Sequence, residues 1–216
     1  MWLSGNRLDI LQTVGSALGL GFLSGIRLYA TLLALGLAIR LGVFHPSPEM
    51  TALHSLAQTK VLVAVGILCA LEFLADKIMW LDSLWDAIHT FVRPVAAALV
   101  ASTALGEFDP VTRTLIALLA GGVALTSHST KMAARLAVNH SPEPFSNIVV
   151  SVAEDLLAPA GLWFVMAHPV AFLVALAVFL VFFAWIARWA FRMICRRLAA
   201  LRDWWRGKPP ASATTR

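Results

Sequence analysis

The sequence predicts an all-α, polytopic membrane protein with about six transmembrane helices in a 3+3 inverted repeat, two of them broken or re-entrant. Three observations carry that expectation. The 216 residues are 59% hydrophobic and only 13% charged, where soluble domains carry roughly 25% charged residues, and mean hydropathy is +0.78. The apolar residues fall into runs of membrane-spanning length, about 20 residues each. Two of those runs are interrupted by small and polar residues that end on a cation, Leu20–Arg27 and Ala124–Lys131.

The first segment, about Leu8–Leu41, exceeds one simple crossing. Two glycines and Ser24 are expected to loosen it near Gly21–Gly25, immediately before Arg27. The second covers about Lys60–Lys77 and the third about Ser83–Leu105, followed by a turn at Gly106-Glu107-Phe108-Asp109-Pro110. The fourth, about Val111–Asn139, is expected to break near Thr126–Thr130, and His140-Ser141-Pro142-Glu143-Pro144 closes it. The fifth runs over about Phe145–Ala167, and His168-Pro169 opens the sixth, which reaches about Arg206. One transmembrane domain over 1–207 results, with repeat 1 at about 8–105, repeat 2 at about 111–195 and a disordered tail over 208–216. Met1–Asp9 holds one arginine ahead of an apolar run far longer than a signal peptide's, so no cleavable signal is expected.

The repeat rests on order more than identity. Gly25-Ile26-Arg27 parallels Ser129-Thr130-Lys131, Glu72 parallels Glu154, and Arg93-Pro94-Val95-Ala96 parallels His168-Pro169-Val170-Ala171. Three crossings per unit turn the second copy upside down. Inverted units with interrupted helices meeting near the midplane are a pattern of secondary transporters. Chance in a lipid-like composition is the competing explanation.

An ionisable side chain at the bilayer centre costs about 2.5 to 3.5 kcal/mol on insertion scales. Arg27, Glu72, Lys131, Glu154 and Asp155 must therefore face the protein interior, paired or wet. Spacing supports this. Glu72 and Asp76 are four apart, on one helix face. Asn147, Ser151, Glu154 and Asp155 form one polar stripe on the fifth segment, and His128, Lys131 and Arg135 another on the fourth. Such pairs can be internal staples that fix helix register. Alternatively, a restarted helix points free N–H groups and its positive dipole end at the gap. Arg27 with Ser24 and Gly25, and Lys131 with His128, Ser129 and Thr130, then make a substrate-binding anion site. Glu72, Asp76, Asn147, Ser151, Glu154 and Asp155 would couple or gate it, with protons on the carboxylates or His128.

The charge of +5 is concentrated in Arg188, Arg192, Arg196, Arg197, Arg202, Arg206, Lys208 and Arg216, among Trp185, Trp189, Trp204 and Trp205. Basic residues among interfacial tryptophans point to anionic lipid headgroups and a cytoplasmic C-terminus, not to nucleic acid. Six crossings put the N-terminus on that side too. In the connection from Asp76 to His89, Asp82 reads as a helix N-cap, Asp86 as a first-turn acid, and Trp80 and Trp85 as interfacial anchors, in preference to a metal site. Cys69 and Cys195 lack paired spacing and read as small apolar residues. Gly15, Gly19 and Gly21 read as packing residues, not a phosphate loop. No metalloprotease, nucleophile-elbow, P-loop or dinucleotide signature is present, and no cofactor or metal is expected.

The runs Leu71-Glu72-Phe73-Leu74-Ala75-Asp76-Lys77-Ile78 and Trp85-Asp86-Ala87-Ile88-His89-Thr90-Phe91-Val92-Arg93-Pro94 carry a resemblance. So do His128-Ser129-Thr130-Lys131, Asn139-His140-Ser141-Pro142-Glu143-Pro144-Phe145-Ser146-Asn147 and Glu154-Asp155. Over roughly Gly15 to Pro169 the chain resembles a bacterial integral-membrane family called domain of unknown function 4126. Met79-Trp80 departs from the proline and glycine usual there. The resemblance implies the membrane class and singles out these polar runs without naming a substrate. The function expected first is a transporter of a small anion or anionic lipid headgroup, in the bacterial inner membrane, with both termini cytoplasmic. The alternatives are a non-transporting scaffold or assembly protein with structural ion pairs and, third, a membrane-embedded lipid-modifying enzyme. Expected partners are membrane lipids and further copies of the chain.

Overall fold

A computed structural model describes residues 3–46, 48–105, 108–139 and 144–205, and helices are the only regular structure among them. Seven α-helices follow in order: α1 (Leu3–Ile26), α2 (Leu28–Arg40), α3 (Thr59–Ala75), α4 (Met79–Ala104), α5 (Pro110–Asn139), α6 (Pro144–Ala167) and α7 (Pro169–Trp205). A 3₁₀ segment, Pro48–Ala57, joins α2 to α3. Residues 106–107, 140–143 and the expected tail at 208–216 lie outside the described residues.

Among the described residues, four helical stretches are long and apolar enough to cross a membrane: Trp80–Ala104, Pro110–Val138, Val149–Ala167 and Pro169–Arg202. The apolar parts of α1 and α2, Ile10–Ile26 and Leu28–Arg40, are shorter, and α3 has 17 residues. Burial runs opposite to that of a soluble protein. Leu99, Leu118, Leu156 and Trp163 are exposed, while Arg27, Glu72, Asp76 and Arg93 are buried. Lipid as the surrounding solvent accounts for both.

The chain forms two compact units, residues 1–176 and 177–216. In the second, the rest of α7 has no buried side chain among its described residues. The first is a bundle centred on α1, which packs on α4, α5 and α6.

Pairwise contacts give the directions. Gly15 faces Pro169, Gly19 faces Val165, Leu23 faces Gly161 and Arg27 faces Asp155, so α1 runs antiparallel to α6. Gly21 faces Ala120 and Gly25 faces Ala124, so α1 runs parallel to α5. Arg27 meets Asp76, Leu33 meets Gly66 and Gly36 meets Leu62, so α2 runs antiparallel to α3. Contacts among Asp76, Asp82, Arg135 and Glu154 hold the C-terminal ends of α3 and α5 with the N-terminal parts of α4 and α6. Both arms leaving Arg27 therefore lead away from that charged end. The first segment is a helical V with Arg27 at its apex, not one broken crossing.

The break differs from expectation in position and in cause. Gly21 and Gly25 stay helical, and the backbone leaves the helix only at Arg27, with φ −141° and ψ 87°. The glycines serve close approach instead. A Cβ at Gly25 would run into Ser127 Oγ and the Ala124 carbonyl, and one at Gly21 into the Ala120 carbonyl.

The expected break near Thr126–Thr130 does not occur, because α5 is continuous from Pro110 to Asn139. Its hydroxyls are absorbed by its own carbonyls. Thr126 donates to Gly122, Ser129 to Leu125 and Thr130 to Thr126, each four residues back. Hydroxyls bonded in this way fit a helix without opening it. Pro94 lies inside α4 whereas Pro169 begins α7. Two of the three parallels on which an inverted repeat was expected thus differ between the halves, while Glu72 on α3 and Glu154 on α6 are both buried.

Candidate functional site

At the apex of the V, charged side chains from four helices and two junctions form one buried network. Its inner part is built on Arg93, midway along α4 and fully buried. Arg93 Nη2 donates to Glu72 Oε1 at 2.9 Å and lies 3.4 Å from Asp86 Oδ1. Its Nη1 donates to the Gly25 carbonyl at 2.9 Å and to His128 Nδ1 at 2.7 Å. The Gly25 carbonyl is one that the break at Arg27 releases from the helical ladder, since Tyr29 would otherwise be its donor. A guanidinium has donors only. His128 Nδ1 must therefore accept, which leaves the ring neutral with its proton on Nε2, facing the Asp86 carbonyl at 3.1 Å. His89, one turn before Arg93, stacks on Trp85 with centroids 4.5 Å apart and meets the Tyr29 hydroxyl at 3.1 Å.

The outer part centres on Asp76, whose carboxylate faces three cations. Arg27 Nη1 contacts its Oδ2, Arg135 Nη2 lies 3.4 Å away and Lys131 Nζ 3.9 Å. Arg27 also meets Asp155 at 2.5 Å and Glu154 at 4.0 Å. Arg135 grips Glu154 with Nε at 3.2 Å and Nη2 at 2.6 Å, and its Nη1 meets Asp82 at 2.8 Å. Lys131 Nζ stands 3.5 Å from Glu154, 3.6 Å from Asp86 and 3.9 Å from Asp76. At the half-exposed rim, Lys77 Nζ donates to Ser151 Oγ at 2.6 Å and lies 3.8 Å from Asp155.

The network follows from helix spacing. Asp82, Asp86, His89 and Arg93 sit at i, i+4, i+7 and i+11, so one stripe of α4 turns inward. From Asp82 to Arg93 the stripe extends about 16 Å along the helix axis at 1.5 Å per residue. Beyond Arg93 the same face carries Ala97, Ala101, Ala104 and Leu105, all buried. The polar column thus stops partway through the bundle.

Of the residues singled out from the sequence, Arg27, Glu72, Asp76, His128, Lys131, Ser151, Glu154 and Asp155 come together here, and Gly25 supplies its carbonyl. Ser24 is buried on α1, one turn before the apex, but its hydroxyl makes no hydrogen bond. Ser129 and Thr130 are not part of the site; they bond to their own helix on its outer side. The side chain of Asn147 lies outside the described residues. The sequence reading missed Asp82, Asp86 and Arg93. Asp82 is no N-cap, because α4 already begins at Met79 after Ile78. Both aspartates are buried, at 2% and 3% exposure. The inward stripe on α4 was the available signal.

The family model for a domain of unknown function, DUF4126, matches residues 14–189. The chain belongs to that family. In this DUF4126 protein the match covers α2 to α6 whole, most of α1 and α7, and every member of the network. Comparison with curated proteins and with solved structures finds no match in either.

Proposed function

We propose that this DUF4126 protein is a membrane transporter held closed by its own ion pairs, and that it handles protons or small cations, not anions. One observation carries the reading: at the apex of the V, carboxylates surround the cations. Arg27, Lys131 and Arg135 each face three carboxylates. Cations so enclosed favour this reading over the anion carrier expected from the two interruptions.

What remains is a set of pairs with alternatives. Lys131 has three carboxylates at nearly equal distance, 3.5 to 3.9 Å. Exchange among them releases one carboxylate at a time to bind a proton or cation. Buried ion pairs are often no better for stability than apolar residues of the same size. So many charges at membrane depth point to use beyond folding. The membrane arrangement proposed with this reading has the V re-entering from one side and α3 to α7 crossing. The basic residues of α7 set its C-terminal end in the cytoplasm of a bacterial inner membrane.

The test is flux in liposomes, with a pH-sensitive dye and gradients of protons, sodium or potassium. Wild type is expected to pass one of these, and Arg27→Ala to change its rate at least about tenfold, the kinetic equivalent of about 1.4 kcal/mol. Chloride, phosphate and labelled phospholipid are expected not to move. No cation flux from folded wild-type protein overturns the reading. That outcome favours the second one, a scaffold whose ion pairs lock helix register, which the close pairing of Arg93 with Glu72 also suits.

A further inference from the structure

Lys131 is held differently from the arginines around it. Its side chain is buried, yet among the described residues Nζ makes no hydrogen bond. It stands 3.5 Å from Glu154 Oε2, 3.6 Å from Asp86 Oδ1 and 3.9 Å from Asp76 Oδ1. A charge-assisted N–H···O bond is about 2.7 to 2.9 Å long, so three carboxylates stand around the ammonium and none is bonded to it. The arginines grip the same carboxylates from other sides. Arg135 Nη2 donates to Glu154 Oε2 at 2.6 Å, Arg27 Nη1 contacts Asp76 Oδ2, and Arg93 Nη2 lies 3.4 Å from Asp86 Oδ1. A guanidinium is a planar fork that stays charged, whereas an ammonium is a compact charge on a flexible stem. The arginines therefore fix a carboxylate cage, and the lysine rests inside it.

We propose that the cage of Asp76, Asp86 and Glu154 is a binding site for a free ammonium-type cation, ammonium itself or a short primary alkylammonium, and that Lys131 fills it as a tethered occupant. The group the structure places there is itself an alkylammonium, with three N–H donors for three carboxylate walls. Calcium and magnesium suit the cage less. They need oxygens within about 2.0 to 2.6 Å, and the arginines hold these carboxylates farther from the centre. The network meets the outside at Lys77 and Asp155, whose side chains are 33% and 29% exposed. Arg27 connects Asp155 to Asp76 and Glu154 behind it. A group on a short flexible tether competes at an effective concentration of about millimolar, so a free cation displaces Lys131 only at concentrations of that order.

This inference stands on the cage and does not depend on transport. Thermal unfolding of the full chain in lipid nanodiscs tests it, with two variants that vacate different lengths of the lysine. Lys131→Met keeps a stem as long as the lysine's and removes only the charged group, so ammonium is the missing piece. Lys131→Ala removes everything beyond Cβ, so n-propylammonium is. Both are expected to melt about 10 °C below wild type. Ammonium is expected to recover at least about half of that loss in Lys131→Met, and n-propylammonium in Lys131→Ala. Sodium and tetramethylammonium, which carry no N–H donor, are expected to recover none at equal ionic strength. Wild type is expected to bind labelled methylammonium saturably at about millimolar concentration, and Lys131→Met at least about tenfold more tightly, because the tether no longer competes. Recovery by all four salts alike, or by none, overturns the site. Should neither variant fold, wild type without saturable methylammonium binding overturns it equally. Cation flux without methylammonium binding removes this site and leaves the transport reading standing.

Discussion

The two ends of the bundle solve opposite problems. At the charged end, α3, α4, α5 and α6 are held around Arg27 by ion pairs, with long side chains filling the space between the helices. At the other end, α1, α4 and α5 approach closely through small residues, Ala17, Ala101 and Ala120, with Leu105 and Ile116 between them. Lipid tails are as apolar as the core, so the hydrophobic effect does little to bring helices together there. Packing of small residues and polar contacts must do so instead. This protein separates the two means along its length. Small residues hold the tight end, and the charged end is held by ion pairs in which Lys131 faces three carboxylates.

The comparison breaks most severely at Arg93, where the ends meet. Replacing it with alanine leaves Glu72 without its ion-pair partner among the described residues and removes the bond to the Gly25 carbonyl. Removing one partner of a buried pair typically costs about 3 to 5 kcal/mol, so Arg93→Ala is expected to lose most folded protein, measured as monodisperse yield and melting temperature. A melting temperature close to wild type would mean that the inner pairs do not hold the helices. On the packing side, Gly25→Ala forces a methyl against Ser127 Oγ and the backbone of α5. Overpacking of this kind costs about 1 to 3 kcal/mol. Gly66→Ala, with only the Leu33 side chain at 3.9 Å, is the control and is expected to be neutral. Equal melting temperatures for the two variants would show that close approach at Gly25 is dispensable.

How much of this was legible in the sequence varies by level. Helix α3 to α7 boundaries were read to within a few residues because proline, glycine and aspartate mark their ends. The burial of Arg27, Glu72, Lys131 and Glu154 followed from the cost of placing charge in lipid. The V did not. Glycine and serine were read as loosening residues, yet Gly25 is used for contact, and the turn falls on an arginine that neighbouring carboxylates hold in a non-helical conformation. The second interruption failed for a related reason. Serine and threonine in lipid bond backward to their own helix, which a count of polar residues does not reveal. Asp82 and Asp86 were assigned to the surface because capping explains an aspartate near a helix start equally well. Only the periodicity through His89 to Arg93 separates the two readings.

The smallest effect expected lies at the packing end, outside the membrane-spanning part of α5. Asp109 accepts bonds from the backbone N–H groups of Val111 and Thr112, both at 3.1 Å, and so caps the helix. Its bonds with Thr112, side chain first, and with Val111 hold its carboxyl below the usual aspartate range. A depressed carboxyl contributes stability above its ordinary value, near 3.9, and that contribution is lost as pH falls through the lower folded value. Asp109→Asn keeps an acceptor and loses the charge. It is expected to lower the melting temperature slightly at neutral pH and to converge on wild type in acid. Because the group is fully exposed, the shift is expected to be far smaller than that of Arg93→Ala or Gly25→Ala. A variant that stays less stable than wild type at a pH low enough to protonate Asp109 would show that amide geometry, and not charge, makes the difference.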